Sequence, residues 1–230
     1  MAQKKKGSPY LERDISWMYF NERILQEATR PHVPLLERLS FLGIYSNNLD
    51  EFFRVRMASQ SRIAECGDRA AVRESEHAKK IIKQIGKLNA HYAKAYAQAV
   101  EQVTEELKRE NICLVDDTEV TPEQLEFIRS YFRERLSGFI VPVWFSAIKW
   151  LDYENDENIY LAVKVSRTEP RPVADYAFLE VPVGPCGRFV RLPDHEGRSY
   201  LMYLDDVVRC CLPLVFEGLG FTSFEAYTFK

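Results

Sequence analysis

The densest cluster of chemically capable side chains in this 230-residue chain is Phe41-Leu-Gly-Ile-Tyr-Ser-Asn-Asn-Leu-Asp-Glu-Phe-Phe-Arg-Val-Arg56. It packs two adjacent carboxamides, two carboxylates, an aromatic pair and two guanidiniums into one short stretch. A carboxamide donates and accepts at once, so Asn48 suits the edge of a nucleobase. Asn47 or Asn48 equally suits a helix N-cap, with Asp50 and Glu51 complementing the helix dipole and Phe52 and Phe53 in the core. Both readings stay open on the residues alone. Arg54 and Arg56 would stand ~200° apart on a helix, so one of them is expected to serve an anion or an interdomain carboxylate.

The remaining inventory is mostly negative. There is no Gly-x-x-x-x-Gly-Lys-Ser/Thr phosphate loop, no Gly-x-Gly-x-x-Gly and no Gly-x-Ser-x-Gly elbow. The four histidines (His32, His77, His91, His195) are scattered, with no His-x-x-x-His pair. No catalytic residue and no metal ligand is assigned. The five cysteines are Cys66, Cys113, Cys186, Cys210 and Cys211, an odd number without Cys-x-x-Cys spacing. They read as reduced thiols, Cys210-Cys211 as small core residues. Lys4-Lys5-Lys6 and the Lys79, Lys80, Lys83, Lys87 stripe read as solvated charge, the alternative being a surface for polyphosphate or nucleic acid.

The elements that must position these groups change character midway. Ser16 is expected to cap a helix with Trp17, Phe20, Ile24, Leu25 and Ala28 on its apolar face. Pro34 suits the first position of a second helix carrying Leu35, Leu36, Leu39 and Leu42, which stalls at Gly43 and Ser46-Asn47-Asn48. A third helix is expected after Asn48, fraying near Cys66-Gly67-Asp68. Ile81, Ile85, Leu88, Tyr92, Tyr96, Ala99, Val103 and Leu107, at three- and four-residue steps, predict one long helix over roughly 72–110. Beyond Asn111 the pattern predicts a strand at Cys113–Val115 and a helix opening at Thr121-Pro122. Further strands are expected at Ile159–Val165, Tyr176–Val183 and Phe189–Leu192, then a helix over Tyr203–Phe216 and a last strand from Glu225. The fold class is therefore α+β: an antiparallel helical bundle over 1–110, then a mixed domain over 111–230, cut short at the end of the chain.

The formal charge is −3, hiding a split of +4 over residues 1–110 and −7 over 111–230. Apolar residues make up 46% and charged ones 28%, a globular composition. No apolar run approaches the ~20 residues of a membrane helix, and the start lacks the apolar stretch of a signal peptide. The expected setting is cytoplasmic, with peripheral membrane association left open.

Asp14-Ile-Ser-Trp-Met-Tyr-Phe-Asn-Glu-Arg-Ile-Leu-Gln-Glu-Ala28 and Leu36-Glu-Arg-Leu-Ser-Phe-Leu-Gly-Ile-Tyr-Ser-Asn-Asn-Leu-Asp-Glu-Phe-Phe53 resemble the N-terminal part of the bacterial polyphosphate kinase family that works through a phosphohistidine. The likeness continues more loosely through Ile140-Val-Pro-Val143, the strand at 159–165, Phe178–Pro182 and Leu204-Asp-Asp206. It implies a helical N-terminal domain followed by part of a "head" domain, the latter associated with dimer contacts, for which the Tyr203–Phe216 helix is a candidate surface. It also implies reversible transfer of the terminal phosphate of ATP to polyphosphate, by a phosphohistidine and magnesium ligands housed in C-terminal domains that this chain does not contain. Of the family's nucleotide contacts, the second Asn of Ser-Asn-Asn carries over, making Asn48 a contact to adenine. The expected partners are ATP or ADP, polyphosphate and a second subunit, with no nucleic acid; this chain alone is expected to be inactive. A non-catalytic interaction or scaffold module is the competing reading.

Overall fold

The computed structural model describes residues 10–66, 72–147, 158–167 and 171–230. The Lys4–Lys6 tract and the Gly67-Asp68 helix end lie outside them. The chain divides into two units, Met1–Leu107 and Lys108–Lys230.

In the first unit, helix α1 (Arg13–Ala28) begins ahead of Ser16, because the Glu12 carboxylate caps it, accepting from the backbone N–H of Asp14 at 2.7 Å and of Ile15 at 3.1 Å. Ser16 lies inside the first turn, its own N–H donating to the Glu12 carbonyl. Helix α2 (Leu35–Glu51) starts just after Pro34, whose extended backbone (ψ 144°) puts it outside the helix as its cap residue. The expected break at Ser46-Asn47-Asn48 is absent. The backbone passes directly from α2 into a π-helical turn, Phe52–Met57, and then α3 (Ala58–Glu65). Neither asparagine is a cap. Local preference for a turn loses here to tertiary packing, since Leu42, Tyr45 and Phe52 are all buried.

Helix α4 runs Val72–Arg109 and buries Ile81, Ile85, Tyr92, Ala99, Val103 and Leu107. The buried Arg38 ties three helices of this unit. Its Nε donates to the Ala28 carbonyl at the end of α1 (2.7 Å), and a terminal nitrogen pairs with Glu106 of α4 at 2.7 Å. The dangling carbonyls at the α1 C-terminus thus meet a cation, as the helix dipole favours.

The second unit opens with β1 (Ile112–Val115) and α5 (Pro122–Tyr131), the latter closed at its start by a reciprocal Thr121–Gln124 capping box. Strands β2 (Val143–Trp144), β3 (Ile159–Arg167), β4 (Val173–Val181) and β7 (Ser223–Phe229) form an antiparallel sheet in the order β2-β4-β3-β7. Its inner face is set by simple alternation: Leu161, Val163 and Val165 on β3, and Ala177, Leu179 and Val181 on β4. Strand β4 starts and ends earlier than Tyr176–Val183, and Val183–Cys186 turns into a helical loop, α6.

A second sheet has the order β1-β6-β5, from β5 (Phe189–His195) and β6 (Arg198–Tyr203). Strand β6 has no counterpart in the sequence reading. It pairs parallel to β1 and antiparallel to β5 through the tight Glu196-Gly197 turn, where both residues have positive φ (51° and 75°) as such hairpins require. The expected Tyr203–Phe216 helix is two pieces, α7 (Leu204–Cys210) and α8 (Leu212–Val215), with the break at Cys211 before Pro213.

Candidate functional site

Asn48 sits within α2, one turn after the buried Tyr45, at a half-buried position. Its nearest polar partner is Asn21 of α1, which is itself buried. The Asn21 Nδ2 donates to the Tyr45 carbonyl at 3.1 Å, and its Oδ1 accepts from the Asn48 Nδ2 at 3.2 Å. A carbonyl can only accept, so the Tyr45 contact fixes which end of Asn21 is nitrogen, and that in turn fixes Asn48. Asn48 is left with an oxygen acceptor and one N–H to offer a ligand, in a known orientation. The sequence reading missed Asn21; the available signal was an amide placed among Met18, Leu25 and Ala28 on the inner face of α1.

Asn48 lines a cavity of about 330 Å³ together with Trp17, Glu51, Phe52, Val55 and Arg56. That volume lies at the small end of ligand pockets, which start at about 300 Å³. Trp17 and Phe52 stack at 4.3 Å with their planes 12° apart, and Phe53 meets Phe52 edge-on at 5.8 Å. The π turn, with its extra residue, aims Phe52, Val55 and Arg56 at this wall; such turns recur at functional sites.

Both arginines of the segment have carboxylates. Arg56 pairs at 3.1 Å with Asp14, which is 3% exposed and also accepts from Gln60 Nε2 at 2.8 Å. Arg54 pairs with Asp50 of the preceding turn at 3.3 Å. The carboxylate served by Arg56 therefore lies within the helical unit, not across a domain boundary as one sequence option had it. With Arg56 matched by Asp14, the cavity keeps a planar aromatic wall, an oriented amide and the Glu51 carboxylate, with no cation left over for an anion. That combination accepts a flat, neutral heterocycle better than a phosphate.

The other sequence candidates are not brought together. All four histidines are exposed, and His195 stands 3.9 Å from Glu196 at the end of β5. Burial pushes the Cys210 and Cys211 thiols up to about 12, so neither is a nucleophile at neutral pH. The described residues hold no group of three or more His, Cys, Asp or Glu suited to a metal ion. In the second unit Asp205 pairs with Arg188 and accepts from Thr228 Oγ1 at 2.8 Å, while Arg209 lies 3.6 Å from Asp117 and 3.7 Å from Asp206. Burial, with Asp205 adding to it, pushes the Asp206 carboxyl up to about 6. This network holds α7 to its surroundings. The Tyr203–Phe216 stretch, expected as a candidate dimer surface, turns Leu204, Val207, Val208, Cys211 and Phe216 into the core and leaves Asp206, Arg209 and Pro213 at least partly open.

Residues 10–115 match the family model described as polyphosphate kinase N-terminal domain, and residues 123–230 the one described as polyphosphate kinase middle domain. The chain belongs to the polyphosphate kinase family. A polyphosphate kinase from Vibrio parahaemolyticus serotype O3:K6 is 35% identical over 230 residues, covering 96% of this chain and 32% of the relative. The Escherichia coli K12 polyphosphate kinase is 34% identical over 238 residues, covering 100% and 33%. The crystal structure of polyphosphate kinase from Porphyromonas gingivalis superposes with a TM-score of 0.79 at 27% identity, over 97% of this chain and 33% of that one. The chain thus spans about a third of the length of the polyphosphate kinases it matches. No helix among its described residues is long and apolar enough to cross a membrane.

Proposed function

We propose that this chain is the base-recognising, non-catalytic part of an ATP–polyphosphate phosphotransferase, with Asn48 contacting the adenine of ATP or ADP. The observation that carries the reading is the Asn21-oriented amide of Asn48 on the wall of the Trp17/Phe52 cavity. Reversible transfer of the terminal phosphate of ATP to polyphosphate, the phosphohistidine and the magnesium ligands belong in this reading to C-terminal domains of the family, and the working enzyme is a cytoplasmic homo-oligomer. On its own the chain is inactive. One amide contact contributes about 1 kcal/mol net, whereas even millimolar nucleotide affinity needs about 4 kcal/mol. Phosphoryl transfer further requires metal and cationic groups around the developing charge.

The test is Asn48→Ala in a polyphosphate kinase that carries this chain together with its C-terminal domains. The KM for ATP should rise about five- to tenfold while kcat stays within about twofold, the pattern of lost ground-state binding, and stability should fall only by the roughly 1 kcal/mol lost with the Asn48–Asn21 hydrogen bond. An unchanged KM overturns the adenine contact. It would favour the second reading, a docking module without nucleotide. That reading draws on the outer face of the four-stranded sheet, where Phe229 lies 5.6 Å from Tyr160 and 5.8 Å from Phe178, beside the exposed Phe145 and Tyr227.

A further inference from the structure

Between Glu76 and Glu101, helix α4 carries Lys79, Lys80, Lys83, Lys87 and Lys94 and not one acidic residue. At 100° per residue, Lys80, Lys83, Lys87, His91 and Lys94 fall within an arc of about 80°, on a line about 21 Å long. All five are exposed. Among the described residues none of the four lysines of this line has a carboxylate partner. The buried stripe of the same helix (Ala78, Ile81, Ile85, Tyr92, Ala99) points the other way. A solvated helix face ordinarily interleaves acids and bases so that i,i+4 pairs attract. Here Lys79–Lys83, Lys80–Lys83 and Lys83–Lys87 are neighbours of like charge and oppose the helix they sit on.

We infer that this row is a docking track for a linear polyanion, inorganic polyphosphate, which rests on the polyphosphate reading proposed above. Charge is the only recognition the row offers. Tyr92, bonded to Glu22 at 2.8 Å, and Tyr96, stacked on Tyr45 at 5.3 Å, lie away from the row, and its one ring, His91, sits 5.6 Å from the Tyr92 ring, so the face lacks the series of aromatic platforms that single-stranded nucleic acid binding uses. Lysine suits the task because its ammonium is a compact, hydrated point charge. It holds phosphate without the fixed bidentate geometry of arginine and lets a uniform chain slide. A single straight line of charges matches a ligand with one charge per repeating unit, and binding would relieve the repulsion along α4.

The experiment uses the 230-residue chain and end-labelled short-chain polyphosphate, followed by fluorescence anisotropy across a salt series. The reference is a variant carrying Lys80→Gln, Lys83→Gln, Lys87→Gln and Lys94→Gln, with circular dichroism confirming an intact helix content. The native chain should show an affinity that falls with salt, and the variant should lose at least tenfold in affinity at low salt and about 3 in the slope of log K against log salt. The matching four-arginine variant should retain the slope. An unchanged slope in the glutamine variant, no binding by the native chain, or equal competition by oligothymidylate of the same charge each overturns the track. None of these results bears on the ATP KM of Asn48→Ala, so failure of the track and failure of the adenine reading are read separately.

Discussion

The two units hide polar groups in opposite ways. Among the described residues, the helical unit buries Asp14, Asn21, Arg38 and Ser75, and each has a partner on another helix or helix end. The sheet unit buries two, Gln124 inside a capping box and Asp205 in its ion pair, around a core of aliphatic and aromatic side chains. A helix displays its inner face in only three or four residues per two turns, so a polar residue there can be met by one reaching from a neighbouring helix. A pleated sheet sends every second side chain inward, and an unpaired polar atom there has few partners and a high cost. The helical unit is therefore the one able to hold an oriented amide beside a cavity, and the sheet unit the one that resists deformation.

The largest effect should come from the sheet. Leu179→Ala, at a fully buried position on β4, should cost about 2–5 kcal/mol, read from urea unfolding and from loss of hydrogen-exchange protection along β3 and β4. A cost under about 1 kcal/mol would mean that this core yields, and the contrast would fall. In the helical unit, Asn21→Ala should cost about 1–2 kcal/mol and release Asn48. Asn21→Leu should restore most of that stability while still raising the nucleotide KM of the longer enzyme. If leucine rescued both, the amide would be packing alone.

The smallest expected effect is electrostatic. The folded-state pKa of Asp206, about 6, lies above its usual 3.8, so the folded chain binds the proton more tightly than the unfolded one. Stability must then fall as pH rises from about 4 through 6, by a magnitude on the order of 1 kcal/mol. Asp206→Asn should flatten that slope between pH 4 and 7. A melting temperature that climbs across the same window would contradict the burial assigned to Asp206.

Much of this architecture is legible in the residues. The 38-residue α4 follows from apolar spacing alone, and Thr121-Pro122 announces α5 because both residues act locally. The α+β class and the strands at 159 and 189 follow from alternation. What escaped depends on contacts distant in sequence. Asn47 and Asn48 look like a helix stop, yet packing of Leu42, Tyr45 and Phe52 carries the helix through them. Strand β6 escapes because Arg-Ser-Tyr-Leu-Met-Tyr does not alternate: it lies between β1 and β5, and Tyr203 passes straight into α7 without a turn signal. Glu12 was overlooked as a cap because Ser16 is the commoner choice. At the candidate site, the sequence singles out Asn48 but not Asn21, the partner that orients it, which lies 27 residues earlier in the chain.

The π turn at Phe52–Met57 works as a phase step. One residue more per turn than an α-helix needs amounts to a rotation of about 100° for everything that follows. Taken out, by deletion of a single residue there or by relaxation to α geometry, the step would turn Arg56 and Gln60 away from Asp14 and swing Val55 off the cavity wall, while Asn48 upstream kept its place. The cavity is thus assembled from two sides of a screw whose offset is one residue, and the thread between them is what sets its width.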